Sequence, residues 1–456
     1  MVSGWASPIL PRLQEPGSWL PLTADEASWI ISCLTISTVP SKIGVPFIVD
    51  VVGRKWLLIA SGLPVFVSWI MVLFADSAAM LIASRLVAGL GIGASICLVP
   101  MYVGEVAEAK VRGMLATVFQ FAMSVGFLVS YSMGPYMSYS AVAIVAATVP
   151  VLFMLGFLWM PESPYFLALR GRDEEAESAL RRLRGALSEE AIQEELGIVL
   201  KYVREQRAVQ LQRNKSQQCV VGTETQRSWL ERLGQLVCRR GSRRALVVCV
   251  VLILTQSFAG LSVLMGYTTE IFQQSGVALD ADVCAIIVAA VQTVSSVATS
   301  LLADRAGRRP LLLLSLSGCS LTMATLATLF YLKDVVRADL TAVQWLPLAA
   351  MAAFIVFNIL GIGPLPWAVV GEVFPSEVKG VATGIVSVAL AITTTTLSKL
   401  FQVISDAAGI YSVFFLFMAS AVVGLVFTFF FVPETRGRTF VEITRHFEGE
   451  EDEGIK

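Results

Sequence analysis

Eleven stretches of about twenty mostly apolar residues run through this chain. They lie at 27–48, 55–75, 79–103, 114–136, 139–160, 245–268, 282–303, 310–332, 343–370, 380–402 and 411–431. A helix of that length crosses a hydrocarbon layer about 30 Å thick. Lipid offers no partner to backbone N–H and C=O groups, so only helices and closed barrels span it. Strands of a membrane barrel alternate polar and apolar residues. These stretches are continuous, and they read as helices of an all-α polytopic membrane protein. The hydrophobic share is 55% and the charged share 15%, against roughly 25% charged in soluble proteins. That balance excludes disorder. A net charge of −1 without a long basic run excludes a nucleic-acid partner.

Positive charge gives the orientation. With residues 2–26 outside, alternating spans place Arg54, Lys55, Lys110, Arg112, Arg305, Arg308, Arg309 and Lys379 on the inner side. The basic 165–244 stretch and the C-terminus join them, so both are expected to be cytoplasmic, with the chain in the plasma membrane. The opening GWASPILPRLQEPGSW reads as the outer end of a helix without its cytoplasmic half, expected from an incomplete or alternatively started sequence or, in the other reading, from an eleven-span protein. Cys33, Cys97, Cys219, Cys238, Cys249, Cys284 and Cys319 fall in spans or in the 165–244 stretch, with no ligand spacing. The single histidine, His446, is in the tail. No metal, cofactor or disulfide framework is expected. No span carries a catalytic pairing, so an enzyme is not expected.

The chain repeats itself. Asp50-Val-Val-Gly53-Arg54-Lys55 returns as Asp304-Arg-Ala-Gly307-Arg308-Arg309. Glu105 with Arg112 returns as Glu372 with Lys379, and Pro161-Glu162-Ser163 as Pro433-Glu434-Thr435. Three pairs in one order at similar offsets read as two parallel halves, a known transporter plan. The expected domains are a first half-bundle at 1–164 with an incomplete first helix, a helical loop at 165–244, a second half-bundle at 245–432 and a tail at 433–456. The loop's Leu/Ala spacing and mixed charge suggest short amphipathic helices. GLGIG at 89–93 sits inside a span, so it reads as close helix packing and not as a phosphate loop.

Two rigid halves that alternate between open states need contacts at one end that form and break. Asp50, Arg54, Glu105 and Arg112 are expected to form such a gate in the first half. Asp304, Arg308, Glu372 and Lys379 are the symmetric set. Carboxylates bridging partly desolvated basic groups suit this task.

These residues resemble the sugar-porter branch of the major facilitator superfamily over nearly the whole chain. The motifs are DxxGRK at 50–55, DRAGRR at 304–309, RLVAGLGIG at 85–93, PMYVGEVAEAKVRG at 100–113, PESP at 161–164, GIGPLPW at 361–367 and PETRGR at 433–438. The resemblance implies the major facilitator fold, two six-helix halves with the first helix truncated, or about eleven complete spans. It also implies transport of a hexose or a trehalose-like disaccharide. Gln120 and Gln256 match sugar-contacting glutamines of the family, Gln292 stands where it has a polar amide, and Trp367 ends GPLPW. Amides match sugar hydroxyls without a charge to desolvate, and an indole covers a sugar's apolar face. Val51 stands where the family has arginine, and Pro46 and Ser300 where it has glycine. A second glutamine and an asparagine after Gln256 are absent, and Leu390-Ala391 replaces an Asn-Trp pair. The pocket is therefore expected to be less polar than a glucose site. In proton-coupled relatives an acidic residue on the first helix takes the proton; that helix is nearly absent from this sequence and no other mid-span Asp or Glu stands out, so facilitated diffusion is expected. A proton symporter and a non-transporting sugar sensor are the alternatives. The expected partners are the sugar and the bilayer, with no obligate protein partner.

Overall fold

The structure is a computed structural model. It describes residues 1–185, 188–190, 192–201, 203–204, 240–374 and 376–434. The side chains of 109–114, 116–117, 240, 299–306, 372 and 376–380 lie outside that description. Among the described residues there are helices and turns but no strands.

The first half runs α1 (Ala6–Gln14), α2 (Ala24–Ile36), α3 (Thr38–Val52), α4 (Arg54–Leu73), α5 (Ala78–Val106), α6 (Ala109–Tyr136) and α7 (Tyr139–Leu158). Two short helices follow, α8 (Pro164–Leu169) and α9 (Asp173–Arg184). The second half runs α10 (Arg240–Phe258), α11 (Leu261–Gly266), α12 (Thr268–Ser275), α13 (Ala281–Ala306) and α14 (Arg308–Tyr331). It continues through α15 (Leu346–Leu360), α16 (Leu365–Val373), α17 (Ser376–Ala408) and α18 (Ile410–Phe431). Ten helical segments among the described residues are long and apolar enough to cross a membrane. The expected span 114–136 is α6, whose apolar run is diluted by Gln120, Ser124, Ser130 and Ser132.

Three expected spans are divided. The first breaks at Ser37, whose hydroxyl donates to the Leu34 and Arg85 carbonyls. Pro40 follows; it has no N–H to give and its ring crowds the carbonyl four residues back. The 245–268 span turns at Gly260, which takes φ +85. That conformation suits glycine, and a Cβ there would also meet the Phe417 ring. The third, 343–370, unwinds across Gly361–Pro364.

Within the first half α4 packs on α5 and α7, and α3 on α5. Within the second, α14 packs on α15 and α18, and α13 on α15. The halves meet where α2 and α3 lie on α17, α6 on α13, and α1 on α12. The small residues of 89–93 serve packing: a Cβ at Gly91 would strike the Ser61 carbonyl of α4, and one at Gly93 the Thr38 backbone of α3. Buried residues of α8 and α9, with Ile192, Leu196, Val199 and Val203, form a small core of their own. Residues 205–239 of the expected helical loop lie outside the described residues. The tail beyond 434 lies outside the described residues.

Candidate functional site

Arg54 opens α4 at the end of the bundle where the basic motifs gather, here called the basic end. Its side chain is only 4% exposed. Nε donates to both Glu105 oxygens, at 3.2 and 3.0 Å, and Nη1 lies 2.9 Å from Asp50 Oδ1. Nη1 also reaches the Val49 carbonyl at 3.3 Å, and the Phe166 ring centroid lies 5.2 Å from the guanidinium carbon. Glu105 takes a further short hydrogen bond from the Ser163 hydroxyl. A buried guanidinium needs this degree of pairing, because an unpaired charge away from water is costly.

The motif pairs are joined physically. The Glu162 carboxylate accepts from the backbone N–H groups of Arg54, at 3.1 Å, and Lys55, at 3.0 Å, capping the start of α4. Glu434 does the same for Arg308, at 2.9 Å, and Arg309, at 3.1 Å, at the start of α14. A carboxylate at a helix N-terminus meets both orphan donors and the positive end of the macrodipole. Gly53, at φ +101, and Gly307, at φ +86, lie against these carboxylates, where a Cβ would clash. Lys55 Nζ donates to the Leu158 carbonyl at 2.8 Å, and Arg309 Nη2 to that of Phe429 at 2.6 Å. The repeat is thus a repeated joint between two helix ends. In the sequence Glu162 and Glu434 stand only as markers of the repeat, since nothing in the spacing pairs residues 108 and 126 positions apart.

Of the expected gate residues, Asp50, Arg54 and Glu105 are brought together, and Arg308 sits at the symmetric position through its backbone. The side chains of Arg112, Asp304, Glu372 and Lys379 lie outside the described residues.

In mid-span, Gln256 of α10 donates from Nε2 to the Gly363 carbonyl at 2.5 Å, inside the unwound Gly361–Pro364 turn. Ser315 of α14 pins the same turn, donating to the Phe357 carbonyl at 2.7 Å and accepting from the Ile362 N–H at 2.9 Å. Gln256 Oε1 is buried without a partner, as is Oε1 of Gln292 on α13. Asn358 is 1% exposed and its Oδ1 has no partner. Its Oδ1 borders Gly363, 3.4 Å from where a Cβ would stand. Buried polar atoms in native structures almost always find a partner, so three amides in one half that each keep an unpaired oxygen call for an explanation. Trp367 is half-buried against the core of the second half. Gln120 is exposed on α6. Asn358 was missed in the sequence, though a polar side chain within a span is itself a signal of a functional site.

At the opposite end the halves touch. The Ser7 hydroxyl of α1 accepts from the Thr269 N–H at 3.1 Å and lies 3.3 Å from its Oγ1. Tyr131 of α6 donates a short hydrogen bond to the Met265 carbonyl. Lys399 of α17 reaches Asp25 at 2.5 Å and donates to the Ser28 hydroxyl at 2.7 Å, over the Trp29 ring. Hydrogen bonds of this kind are worth about 1 kcal/mol net, and exposed ion pairs no more. Such contacts close an end without locking it.

Comparison with known proteins decides the family. The sugar (and other) transporter family matches residues 14–447. The chain belongs to this family. Its sugar-porter relatives include the facilitated trehalose transporter Tret1 of Polypedilum vanderplanki, 31% identical over 450 residues, covering 98% of this chain and 84% of that one. Tret1 of Aedes aegypti is 29% identical over 449 residues, again 98% of this chain but 53% of the longer relative. The chain thus spans about half the length of some relatives and most of others. An inward-open structure of the xylose transporter XylE from E. coli superposes with a TM-score of 0.74 at 19% identity, covering 97% of this chain and 96% of that one. The fold is the major facilitator fold. In this sugar porter the joined motifs sit at one end of the two halves, and the unpaired amide oxygens sit on three spans of the second half, α10, α13 and α15.

Proposed function

We propose that this sugar porter carries a hexose or a trehalose-like disaccharide across the membrane by alternating access, as facilitated diffusion. The observation that carries the reading is the buried amide oxygens without partners on Gln256, Gln292 and Asn358, two of which, those of Gln256 and Asn358, belong to side chains beside the backbone unwound at Gly361–Pro364. Broken helices near the membrane midplane are where secondary transporters hold substrate. Amide groups answer hydroxyls as donor and acceptor, and Trp367 offers a flat face to a ring. Gln120 faces the same task from the first half. The basic end is cytoplasmic in this reading, the membrane is the plasma membrane, and Arg54, Glu105 and Asp50 with their symmetric partners form the cytoplasmic gate. The trehalose transporters among the relatives support the substrate class.

The test is uptake of labelled trehalose and glucose by proteoliposomes, with wild type and Gln256→Leu. Losing one hydrogen bond to substrate is worth about 1.4 kcal/mol, and the variant is expected to lose roughly tenfold in affinity for the transported sugar. Equal uptake constants for the two proteins would remove Gln256 from the site.

Glu270 favours a second reading, proton coupling. It lies in α12, beyond the end of the Gly241–Gly266 span, in a small pocket with Ser7, Gln14, Ala27, Ile31 and Tyr267. Burial, and then the nearby Asp406, push its carboxyl up to about 7. The closed end therefore prefers the protonated acid. Closure is fully favoured below the ordinary carboxylate range and loses that support as pH rises through about 7. Wild-type uptake should change between pH 5.5 and 8, and Glu270→Gln should flatten the profile. Uphill sugar accumulation driven by an acid exterior would establish symport; a pH effect without accumulation leaves facilitated diffusion in place.

A further inference from the structure

A cleft of about 720 Å³ opens at the basic end, between the α3–α4 turn and the α8–α9 pair. Lys55, Arg170, Arg172 and Arg182 line it, with Trp56 and Val51 at its edge. Of the two carboxylates on its wall, Glu162 is spent capping α4 and Glu175 is paired with Arg172. Lys55 and Arg170 are held by the carbonyls of Leu158 and Val51 and lie over the Trp56 and Phe166 rings, contacts that carry no negative charge. Arg182 is exposed. The cleft therefore keeps an excess of positive charge that its own side chains do not neutralise.

Its place decides what would neutralise it. Trp56 is 55% exposed, and Trp159, next to the Leu158 carbonyl that holds Lys55, is 71% exposed. Indoles in that position mark the boundary between hydrocarbon and headgroups. From the cleft mouth, Val51, Ile48 and Phe47 run up α3 as an uncovered apolar strip. A soluble phosphate compound would use the cations and leave the strip idle. A molecule with a phosphate head and acyl chains uses both.

We infer that the cleft holds the headgroup of an anionic phospholipid from the leaflet at the basic end, its acyl chains lying along the apolar strip of α3. The phosphate takes charge-assisted hydrogen bonds from Lys55, Arg170 and Arg182, as basic groups beside a membrane surface do. The bound lipid ties the start of α4, where Arg54 is held, to α8 and α9. The inference requires only that the chain spans a bilayer and is independent of which sugar is carried.

The test is native mass spectrometry of the full chain in detergent with equal amounts of phosphatidylglycerol and phosphatidylcholine. The wild type should retain phosphatidylglycerol in preference. Arg170→Gln and Arg182→Gln should each lower that preference roughly fivefold, and the pair should abolish it at an unchanged melting temperature. Lys333→Gln, at the opposite end, should leave it intact. Equal retention of the two lipids by the wild type, or an unchanged preference in the double variant, would overturn the inference. Displacement of the lipid by inorganic phosphate at equal concentration would also overturn it, by making the cleft a site for free phosphate.

Discussion

Replacing Glu105 by alanine should slow sugar uptake by about a hundredfold while the protein still reaches the membrane. Glu105 is 18% exposed and Arg54 only 4%. Without Glu105, the Arg54 guanidinium keeps Asp50, which is 66% exposed, and a carbonyl. Stranding one member of a buried pair costs about 3 kcal/mol or more, and each 1.4 kcal/mol is a factor of ten. The lost contacts join the start of α4, the end of α5 and the Pro161–Ser163 turn, so every state that uses this joint loses them. Glu105→Gln keeps an acceptor for Arg54 and for Ser163, and it should recover part of the rate. Initial uptake rates normalised to protein in the membrane make the measurement. Rates equal to wild type in the alanine variant would show that the cluster is only a fold element.

Much of this molecule is legible in its sequence because lipid permits so few alternatives. Continuous apolar runs have to be helices, and their positions followed. The Arg54–Glu105 pairing was also legible, since two opposite charges at adjoining span ends have little else to meet. Other parts were hidden for identifiable reasons. The break at Ser37 depends on a hydroxyl reaching the Arg85 carbonyl 48 residues away, and only the nearby Pro40 hints at it. The capping by Glu162 and Glu434 is long-range, and the repeat advertised their positions without naming their partners. Asn358 was concealed by GPLPW, whose glycines and prolines drew attention away from the amide just before them. The contacts at the opposite end are made by serine, threonine and a backbone carbonyl, residue types that carry no signal in a sequence. Val51, which replaces a basic residue of the family, is 66% exposed beside the charged cleft. Its side chain adds to the apolar edge there instead of to the gate.

The central claim is that the two halves part at the closed end for sugar to pass. Ser7 and Thr269 lie on opposite halves, both buried, with their hydroxyl oxygens 3.3 Å apart. Cysteines at these positions place two sulfurs close enough for a disulfide without large backbone movement. Trehalose uptake by the double variant Ser7→Cys/Thr269→Cys in proteoliposomes, oxidised and then reduced, is the most direct measurement. The account predicts that the oxidised protein transports nothing above the lipid background and that reductant restores uptake. Undiminished uptake by protein whose cross-link is verified by mass would contradict it.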